Sequence, residues 1–144
     1  MKKHFITALM IGLVCSSSLA TDNLRTLGAY TIHYNALSTQ SLSPDIAKAY
    51  GIRRSKNRGM INVAVRKKLD DGSEIPVSAK VDVHMRNIHA QITQLKSREI
   101  IEDQAIYYIA EFKTENNAEA LPKAVFSVEV AIEGQPVQSI KISY

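Results

Sequence analysis

The 144-residue chain contains one cysteine and no tryptophan. Cys15 directly follows the N-terminal apolar run 5–14. If this N-terminus is removed, no thiol remains, which excludes an internal disulfide, a thiolate metal site and a cysteine nucleophile. The residue before Cys15 is a valine and not a small residue, which argues against lipidation of the cysteine. The stability of the domain must therefore come from its apolar core.

The first twenty residues have the layout of a cleaved secretory signal. Two lysines precede the uncharged run 5–14, and a small-x-small pattern ends at Ala20 before polar residues. The run is too short to span a bilayer. We therefore expect a signal peptide at 1–20, one domain at 21–144, a periplasmic location and no stable membrane insertion after cleavage.

Charge of neither sign dominates the chain. It carries 18 lysines and arginines against 14 acidic residues, and the expected cleavage removes two of the lysines. Nucleic-acid-binding proteins usually spread a strong basic excess over one face, so we expect no nucleic-acid partner.

One basic segment, RRSKNR at 53–58, stands out from this balanced background. It follows a predicted helix, and cations such as Lys48, Arg53 and Arg54 complement the partial negative charge of the last helical carbonyls. A short run of like charge is usually solvated. We favour a solvated helix end, and binding of an anion by 53–58 is the alternative.

Recognisable catalytic motifs are also missing. The chain has no G-x-S-x-G elbow, no S-x-x-K and no glycine-rich phosphate loop. The acidic residues Asp70, Asp71, Glu102 and Asp103 occur as adjacent pairs in predicted turns, where solvated carboxyl groups lack the perturbed pKa of a catalytic acid. We expect no enzymatic activity and no cofactor.

The dominant pattern after residue 28 is an alternation of apolar and polar residues, which predicts half-buried strands. The clearest run is IPVSAKVDVHM, in which Val81, Val83 and Met85 share one face. Seven such segments are predicted: 30–36, 60–67, 75–85, 89–95, 105–112, 125–133 and 137–144. The pattern predicts an all-β fold, an immunoglobulin-like antiparallel β-sandwich of about seven strands.

One short helix interrupts the strands. In SPDIAKAYG, Ser43 is a suitable N-cap, Pro44 suits the first helical position and Gly51 suits the C-terminal end. The apolar residues Ile46 and Tyr50 fall on one stripe. We expect this helix to lie across one end of the sandwich.

Tyr107 and Tyr108 are consecutive in the predicted strand 105–112, so their side chains must point to opposite faces of the sheet. The outward tyrosine is either covered by the helix or a loop, or it belongs to a protein-binding patch, because tyrosine favours interfaces. We favour a covered tyrosine.

Three histidines, His33, His84 and His89, are candidate ligands for copper or zinc. His84 is adjacent to Met85, but neighbouring side chains of a strand point to opposite faces, and no known spacing links the three histidines. We therefore expect no metal site. A small-ligand or metal-binding periplasmic protein that uses these histidines is the alternative function.

Two segments, YTIHYNALSTQSLSPDIAKAYGI and RSKNRGMINVAV, resemble the DUF4426 family of small secreted bacterial proteins of unassigned function. The pattern that carries the resemblance is His-Tyr-Asn at 33–35, a proline-initiated turn of helix, Tyr-Gly-Ile at 50–52, and Arg-Ser at 54–55 before an Asn-bearing strand. The resemblance extends from about Tyr30 to the C-terminus. It implies a periplasmic β-rich domain and carries no catalytic motif.

The resemblance singles out six residues as a candidate binding site: Tyr34, Asn35, Tyr50, Arg54, Ser55 and Asn62. We expect them to converge at one end of the sandwich. One hypothesis is that Arg54 and the amides of Asn35 and Asn62 form a network that holds the helix. The other is that these residues line a shallow recognition site for a periplasmic or envelope protein. The expected function is a non-enzymatic periplasmic accessory or protein-interaction domain.

Overall fold

The computed structural model describes residues 23–114 and 124–144. The predicted signal peptide at 1–20 lies outside these ranges. Ten strands lie within them: β1 (Leu24–Leu27), β2 (Tyr30–Ser38), β3 (Arg58–Lys68), β4 (Glu74–Pro76), β5 (Lys80–Asn87), β6 (Ile92–Leu95), β7 (Ser97–Glu102), β8 (Ala105–Lys113), β9 (Ala124–Ala131) and β10 (Gln138–Ser143). A 3-10 turn (Thr39–Ser41) and one α-helix, α1 (Pro44–Ala49), connect β2 to β3.

The strands form two sheets that pack face to face. The six-stranded sheet has the order β1-β2-β3-β8-β7, with β4 also paired to β3, and the four-stranded sheet has the order β10-β9-β5-β6. All eight described strand pairings are antiparallel. The predicted immunoglobulin-like antiparallel β-sandwich with one short helix is confirmed.

The strand count differs from the prediction of about seven, because β1 and β7 lie outside every predicted strand and one predicted strand is divided between the two sheets. The predicted strand 75–85 divides into β4 on the six-stranded sheet and β5 on the four-stranded sheet. Lys96 alone separates β6 from β7, which belong to different sheets. Since an apolar residue in phase can face the same core from either sheet, the pattern does not reveal these crossings.

The predicted inward positions form the core between the sheets. Val81 and Val83 are buried, and Met85 packs against them at the edge. The fully buried side chains that share this core are contributed by both sheets: Ile32, Ile61, Val63, Val65, Phe126, Val128, Val130 and Ile140. Burial of an aliphatic side chain stabilises the fold by about 1.5–3 kcal/mol, so this core accounts for the stability of a domain without disulfides.

At one end of the core, a glycine allows an aromatic ring to lie directly on the backbone. Gly59 on β3 is the cross-strand partner of Phe112 on β8. A Cβ atom at position 59 would lie 2.3 Å from the ring carbon Cζ of Phe112. The ring of Phe112 in turn contacts Phe126, with centroids 4.6 Å apart, and Tyr144, with centroids 5.2 Å apart.

We predict that Gly59→Ala destabilises the domain by about 2–3 kcal/mol, because the confined Phe112 ring cannot move away from the added methyl group. Chemical denaturation measures the change. The double variant Gly59→Ala/Phe112→Leu should lose less stability than the sum of the two single losses, since the smaller side chain relieves the clash. Strict additivity of the two losses would contradict this packing.

Candidate functional site

The six-stranded sheet is apolar on both of its faces where β8 crosses it. On β3, the odd-numbered residues from Ile61 to Val65 face the four-stranded sheet, and the even-numbered residues face away. The face directed away, here called the outer face, carries a second buried cluster. It consists of Leu42, Ala47, Ile52, Met60, Tyr107 and Ile109. The segment 42–52, which contains α1, therefore covers part of the outer face, and the helix does not lie across one end of the sandwich as the sequence suggested.

The local sequence of α1 explains why it starts and stops as it does. The Ser43 hydroxyl accepts a hydrogen bond from the Ile46 amide, and Pro44 occupies the first turn, as predicted. Tyr50 is the C-cap, and Gly51 follows it with a φ of 63°. The Gly51 and Ile52 amides donate to carbonyls of the last turn at 3.2 and 2.8 Å, which is a Schellman motif.

The position of α1 confirms the preferred interpretation of the consecutive tyrosines. Tyr108 faces the core, where its hydroxyl accepts from the Ala79 amide at 2.8 Å and donates to Glu99 at 2.8 Å. Tyr107 points to the outer face and is buried in the cluster that includes Ala47. The outward tyrosine is thus covered by the helical segment.

Residues of β7 hold the C-terminal end of α1. The guanidinium of Arg98 donates to the Tyr50 carbonyl at 3.1 Å and lies 3.5 Å from the Glu111 carboxylate. Glu111 also pairs with Arg58 at 3.4 Å. The helix-end carbonyl is therefore satisfied by Arg98, 48 residues further along the chain, and not by the predicted cations of the neighbouring segment.

The hydroxyl of Tyr50 donates to a carboxylate oxygen of Glu102 at the end of β7. Burial and this hydrogen bond raise the pKa of Tyr50 well above its ordinary value. Glu102 is thus a half-buried hydrogen-bond acceptor and not the solvated turn residue expected from the sequence.

The basic segment is held in place by Thr39, a residue that was not among the candidates selected from the sequence. Thr39 is fully buried, and its hydroxyl accepts from the Ser55 amide at 3.1 Å. The same hydroxyl lies 3.0 Å from the Arg53 carbonyl and 3.3 Å from the Arg58 carbonyl. A buried hydroxyl among carbonyls could be recognised only after folding, because threonine is common in strands and turns.

The side chains of the basic segment differ in their surroundings. Those of Arg53 and Lys56 are exposed, and neither forms an ion pair with a described residue. Arg54 is exposed and donates to the Gln40 carbonyl at 3.0 Å. Arg58 belongs to β3 and pairs with Glu111. The cations that are exposed to solvent, as predicted, are thus Arg53, Arg54 and Lys56.

A polar patch occupies the outer face on β2 and β3. Asn35 on β2 and Asn62 on β3 are direct cross-strand partners, and His33 lies two residues before Asn35 on the same face. Four buried side-chain nitrogen or oxygen atoms lack a hydrogen-bond partner among the described residues. Three of them are Oδ1 of Asn35, Oδ1 of Asn62 and Nε2 of His33 in this patch. The fourth is Nε of Arg58.

Burial lowers the pKa of His33 below its ordinary value of 6.5. The charge of Arg66 acts in the same direction, and that of Glu74 opposes it. The neutral imidazole is therefore favoured, and Nε2 is a hydrogen-bond acceptor when the ring proton is on Nδ1. The patch then offers three neighbouring acceptor atoms, since cross-strand side chains are about 5 Å apart and same-face neighbours about 7 Å apart.

The six candidate residues are brought together only in part. Asn35, Asn62 and Tyr50 are on the outer face, whereas Tyr34 is opposite Val63 and packs against the core. Arg54 and Ser55 lie in the basic segment beside Thr39. The proposed network of Arg54 with the two asparagines does not form, because Arg54 binds the Gln40 carbonyl and both amide oxygens lack a partner among the described residues.

The three histidines lie apart from one another. His33 is on the six-stranded sheet, His84 is opposite Ser127 on the four-stranded sheet, and His89 is in the turn between β5 and β6. Within 23–114 and 124–144, no three histidine, cysteine, aspartate or glutamate residues are grouped as metal ligands. None of the helices in these ranges is long and apolar enough to cross a membrane.

The fold and this site define a small antiparallel β-sandwich whose outer face is partly covered by a helical segment and partly polar. The chain matches the family described as the domain of unknown function DUF4426 over residues 24–143. It belongs to this family. No curated protein matches the chain.

Among solved structures, the chain is similar to the crystal structure of a DUF4426 family protein from Pseudomonas aeruginosa PAO1. The TM-score is 0.65 and the sequence identity is 29%, over 84% of this chain and 90% of that chain. The similarity supports the sandwich fold over most of its length. Neither the family description nor the name of this similar structure contains an enzymatic activity.

We predict that Arg98→Ala lowers the free energy of unfolding by about 1–2 kcal/mol, because it removes a charged donor from the Tyr50 carbonyl and a partner from Glu111. Thermal or urea denaturation measures the loss. The control is Arg25→Ala, which removes an exposed bond to the Ser139 carbonyl and should cost less than about 0.5 kcal/mol. Equal losses would show that Arg98 does not hold the helix.

We predict that the domain loses stability as the pH falls from about 7 to about 5. The folded state lowers the pKa of His33, so the unfolded chain takes up a proton first and gains population as the pH drops. Urea denaturation across this range should show that the free energy of unfolding depends less on pH for His33→Gln than for the original chain. His84→Gln, which retains His33, is the control and should show the same change in the free energy of unfolding with pH as the original chain. If His33→Gln also shows this unchanged pH dependence, the prediction is wrong.

Proposed function

We propose that this chain is a non-enzymatic periplasmic accessory domain that binds a protein of the cell envelope through the polar patch of His33, Asn35 and Asn62. The observation that supports the proposal is the set of three neighbouring buried atoms, Nε2 of His33 and Oδ1 of Asn35 and Asn62, that have no hydrogen-bond partner among the described residues. The periplasmic location rests on the signal-like N-terminus.

The energetic cost of this patch is the reason to connect it with binding. A buried acceptor without a partner costs about 1–3 kcal/mol, and apolar replacements of similar shape are often neutral or stabilising. Buried polar atoms in native proteins are nearly always satisfied, so each exception needs an explanation. Local sacrifices of stability are expected at functional sites, and a partner that donates hydrogen bonds here would recover the cost on binding.

The shape of the patch suits recognition better than catalysis. It lies on the face of a sheet, and its three side chains are one imidazole and two carboxamides, none of which is a nucleophile or a carboxylic acid. An open cavity of about 290 Å³ lies elsewhere, beside Arg86, Ile88 and Val125, and none of the patch residues lines it. Because these atoms are buried, a second protein would reach them only after neighbouring side chains move, and such side-chain changes are common when proteins bind.

Metal binding is the second candidate, and one observation favours it. His33 presents an unpartnered Nε2, and a neutral imidazole is a common ligand of copper and zinc. A calorimetric titration with Cu²⁺ or Zn²⁺ tests this function. Heat at micromolar metal that disappears in His33→Gln would favour metal binding over the protein-interaction function.

We predict that Asn35→Val/Asn62→Val abolishes partner binding while the free energy of unfolding stays equal or rises by about 1 kcal/mol, because two unsatisfied oxygens are replaced by strand-favouring apolar groups. Partner binding is measured by crosslinking and affinity capture from envelope extracts, and stability is measured by urea denaturation. A protein that is captured by the original chain and lost with this variant supports the proposal.

The matched control is Ser127→Val/Gln94→Val, which places two valines on the outward face of the four-stranded sheet. This variant also introduces two strand-favouring valines and should retain the captured protein. If the Asn35→Val/Asn62→Val variant loses more than about 2 kcal/mol of stability, the asparagines are structural and the proposal is wrong. Unchanged capture by a stable variant would also contradict it.

A further inference from the structure

The two ends of the sandwich differ in charge. β3 begins at Arg58 and ends at Lys68, and these ends are about 33 Å apart because a strand rises about 3.3 Å per residue. The end at Arg58, here called the basic end, also includes the segment 53–57, the start of α1 and the end of β8. Among the described residues, it carries five basic side chains against two acidic ones: Arg53, Arg54, Lys56, Arg58 and Lys113 against Asp45 and Glu111.

The opposite end, here called the acidic end, has the reverse balance. The turn 69–73 follows β3, β4 pairs with the last residues of β3, and the Arg66 guanidinium donates to the Gln104 carbonyl before β8 at 3.0 Å. Lys80, where β5 begins after β4, is paired with Ala131, so the turn between β9 and β10 lies at this end as well. Among the described residues, the acidic end carries six acidic side chains against four basic ones: Asp70, Asp71, Glu74, Glu102, Asp103 and Glu133 against Arg66, Lys67, Lys68 and Lys80.

Hydrogen bonds hold the backbone of the basic end together. The buried Thr39 hydroxyl lies 3.0 Å from the Arg53 carbonyl and accepts from the Ser55 amide at 3.1 Å. The Asn57 carbonyl accepts from the Thr114 amide at 2.9 Å, which brings the end of β8 beside this segment. The exposed side chains of the basic end are therefore attached to neighbouring parts of the backbone: Arg53, Arg54, Lys56 and Lys113.

These exposed cations are not needed to stabilise the fold. The side chains of Arg53, Lys56 and Lys113 form no ion pair with a described residue. The end of α1 does not require them, because Arg98 supplies the donor for the Tyr50 carbonyl. Like charges that lack partners repel one another, so their grouping at one end favours an anionic partner over a contribution to stability.

The backbone of the basic end does not offer a pocket for a small anion. Compact phosphate sites are usually lined by free backbone amides. Here the Ser55 amide donates to the Thr39 hydroxyl. The Asn57 and Arg58 amides donate to the hydroxyl and the carbonyl of Ser55 at 3.1 and 3.3 Å. Exposed cations without such a pocket suit a broad anionic surface, which binds them by charge alone.

We infer that the basic end attaches the domain peripherally to an anionic phospholipid membrane, with the exposed cations Arg53, Arg54, Lys56 and Lys113 facing the phosphate headgroups. The segment 53–58 contains no apolar residue that would insert into the bilayer, so the attachment is electrostatic. A membrane is the broad anionic surface that the proposed periplasmic location offers. This inference goes beyond the proposed function, because it does not use the polar patch.

The strength and the range of the attraction agree with this orientation. Each basic residue near an anionic membrane strengthens binding about fivefold. The attraction falls off within a Debye length, which is about 8–10 Å at physiological salt. The acidic end is about 33 Å away and is therefore too distant to cancel it. The bound domain should present its basic end to the lipid and its acidic end to the solvent.

Vesicle sedimentation tests the inference without any variant. The chain without residues 1–20 is used, because the apolar run 5–14 would bind lipid by itself, and the described strands and α1 all follow residue 23. We expect at least tenfold tighter binding to vesicles of phosphatidylglycerol and phosphatidylcholine in equal parts than to phosphatidylcholine alone. Binding should be lost as salt is raised from about 0.05 M to about 0.5 M. Equal binding to both vesicles, or binding that resists salt, overturns the inference.

Neutralising variants locate the contact. Arg53→Gln/Lys56→Gln should weaken binding to the anionic vesicles at least tenfold. The matched control Lys68→Gln/Lys141→Gln removes two exposed lysines, one at the acidic end and one on the four-stranded sheet, and should change binding less than about twofold. Equal weakening by both variants would show that net charge alone drives binding, which overturns the inference. The thermal stability of each variant is measured in parallel, so that only folded variants are compared.

Two competitors separate a membrane from other anionic ligands. Inorganic phosphate tests for a discrete anion site, and polyglutamate tests for an acidic protein. At constant ionic strength, we expect neither to release the chain from the anionic vesicles more than chloride does. Saturable release by millimolar phosphate overturns the inference in favour of a phosphate site, and tighter binding of polyglutamate than of vesicles overturns it in favour of an acidic protein. None of these results bears on the proposed function, whose test depends on Asn35 and Asn62.

Discussion

The structure depends on the burial of β8 on both faces. Four consecutive residues, Tyr107 to Ala110, are buried, so alternation cannot leave one side of this strand in water. The four-stranded sheet covers one face, and the segment 42–52 covers the other. If Tyr107, Ile109 and Met60 were exposed, the folded state would lose several kcal/mol of hydrophobic stabilisation. This loss is the reason that a helical segment lies over them between β2 and β3.

The same requirement divides the outer face into two regions. Where α1 and its flanking residues lie, the surface is apolar, and Arg98 and Glu102 of β7 bind the backbone and side chain of Tyr50. On β2 and β3, the same face carries His33, Asn35 and Asn62, whose buried atoms have no partner among the described residues. One face thus combines a stabilising contact with a local energetic cost, and the second region is the one to which we assign the proposed protein partner.

Much of the architecture could be predicted from the sequence because strand alternation and helix capping are local. Val81, Val83 and the Ser43 cap were assigned from spacing alone. The division of 75–85 between two sheets and the position of α1 were not, because a change of sheet leaves the alternation intact and a helix stripe does not identify the surface it covers. The strands β1 and β7 lie outside every predicted strand. The same limit applies to the candidate site. The asparagines were selected by resemblance, whereas Thr39 and Arg98 depend on partners that are 14–48 residues away in the chain.

By itself, the sequence determined the class of fold, the inward residues and the boundaries of the helix, because each depends on side-chain periodicity or on contacts within one turn. Only the tertiary structure decided which charges are paired and which acceptors lack a partner. Arg58 and Arg53 look alike in RRSKNR, yet one pairs with Glu111 and the other is exposed. Hydrogen bonds and ion pairs act over a few ångströms, so they are decided by strand pairing and packing that bring distant residues together.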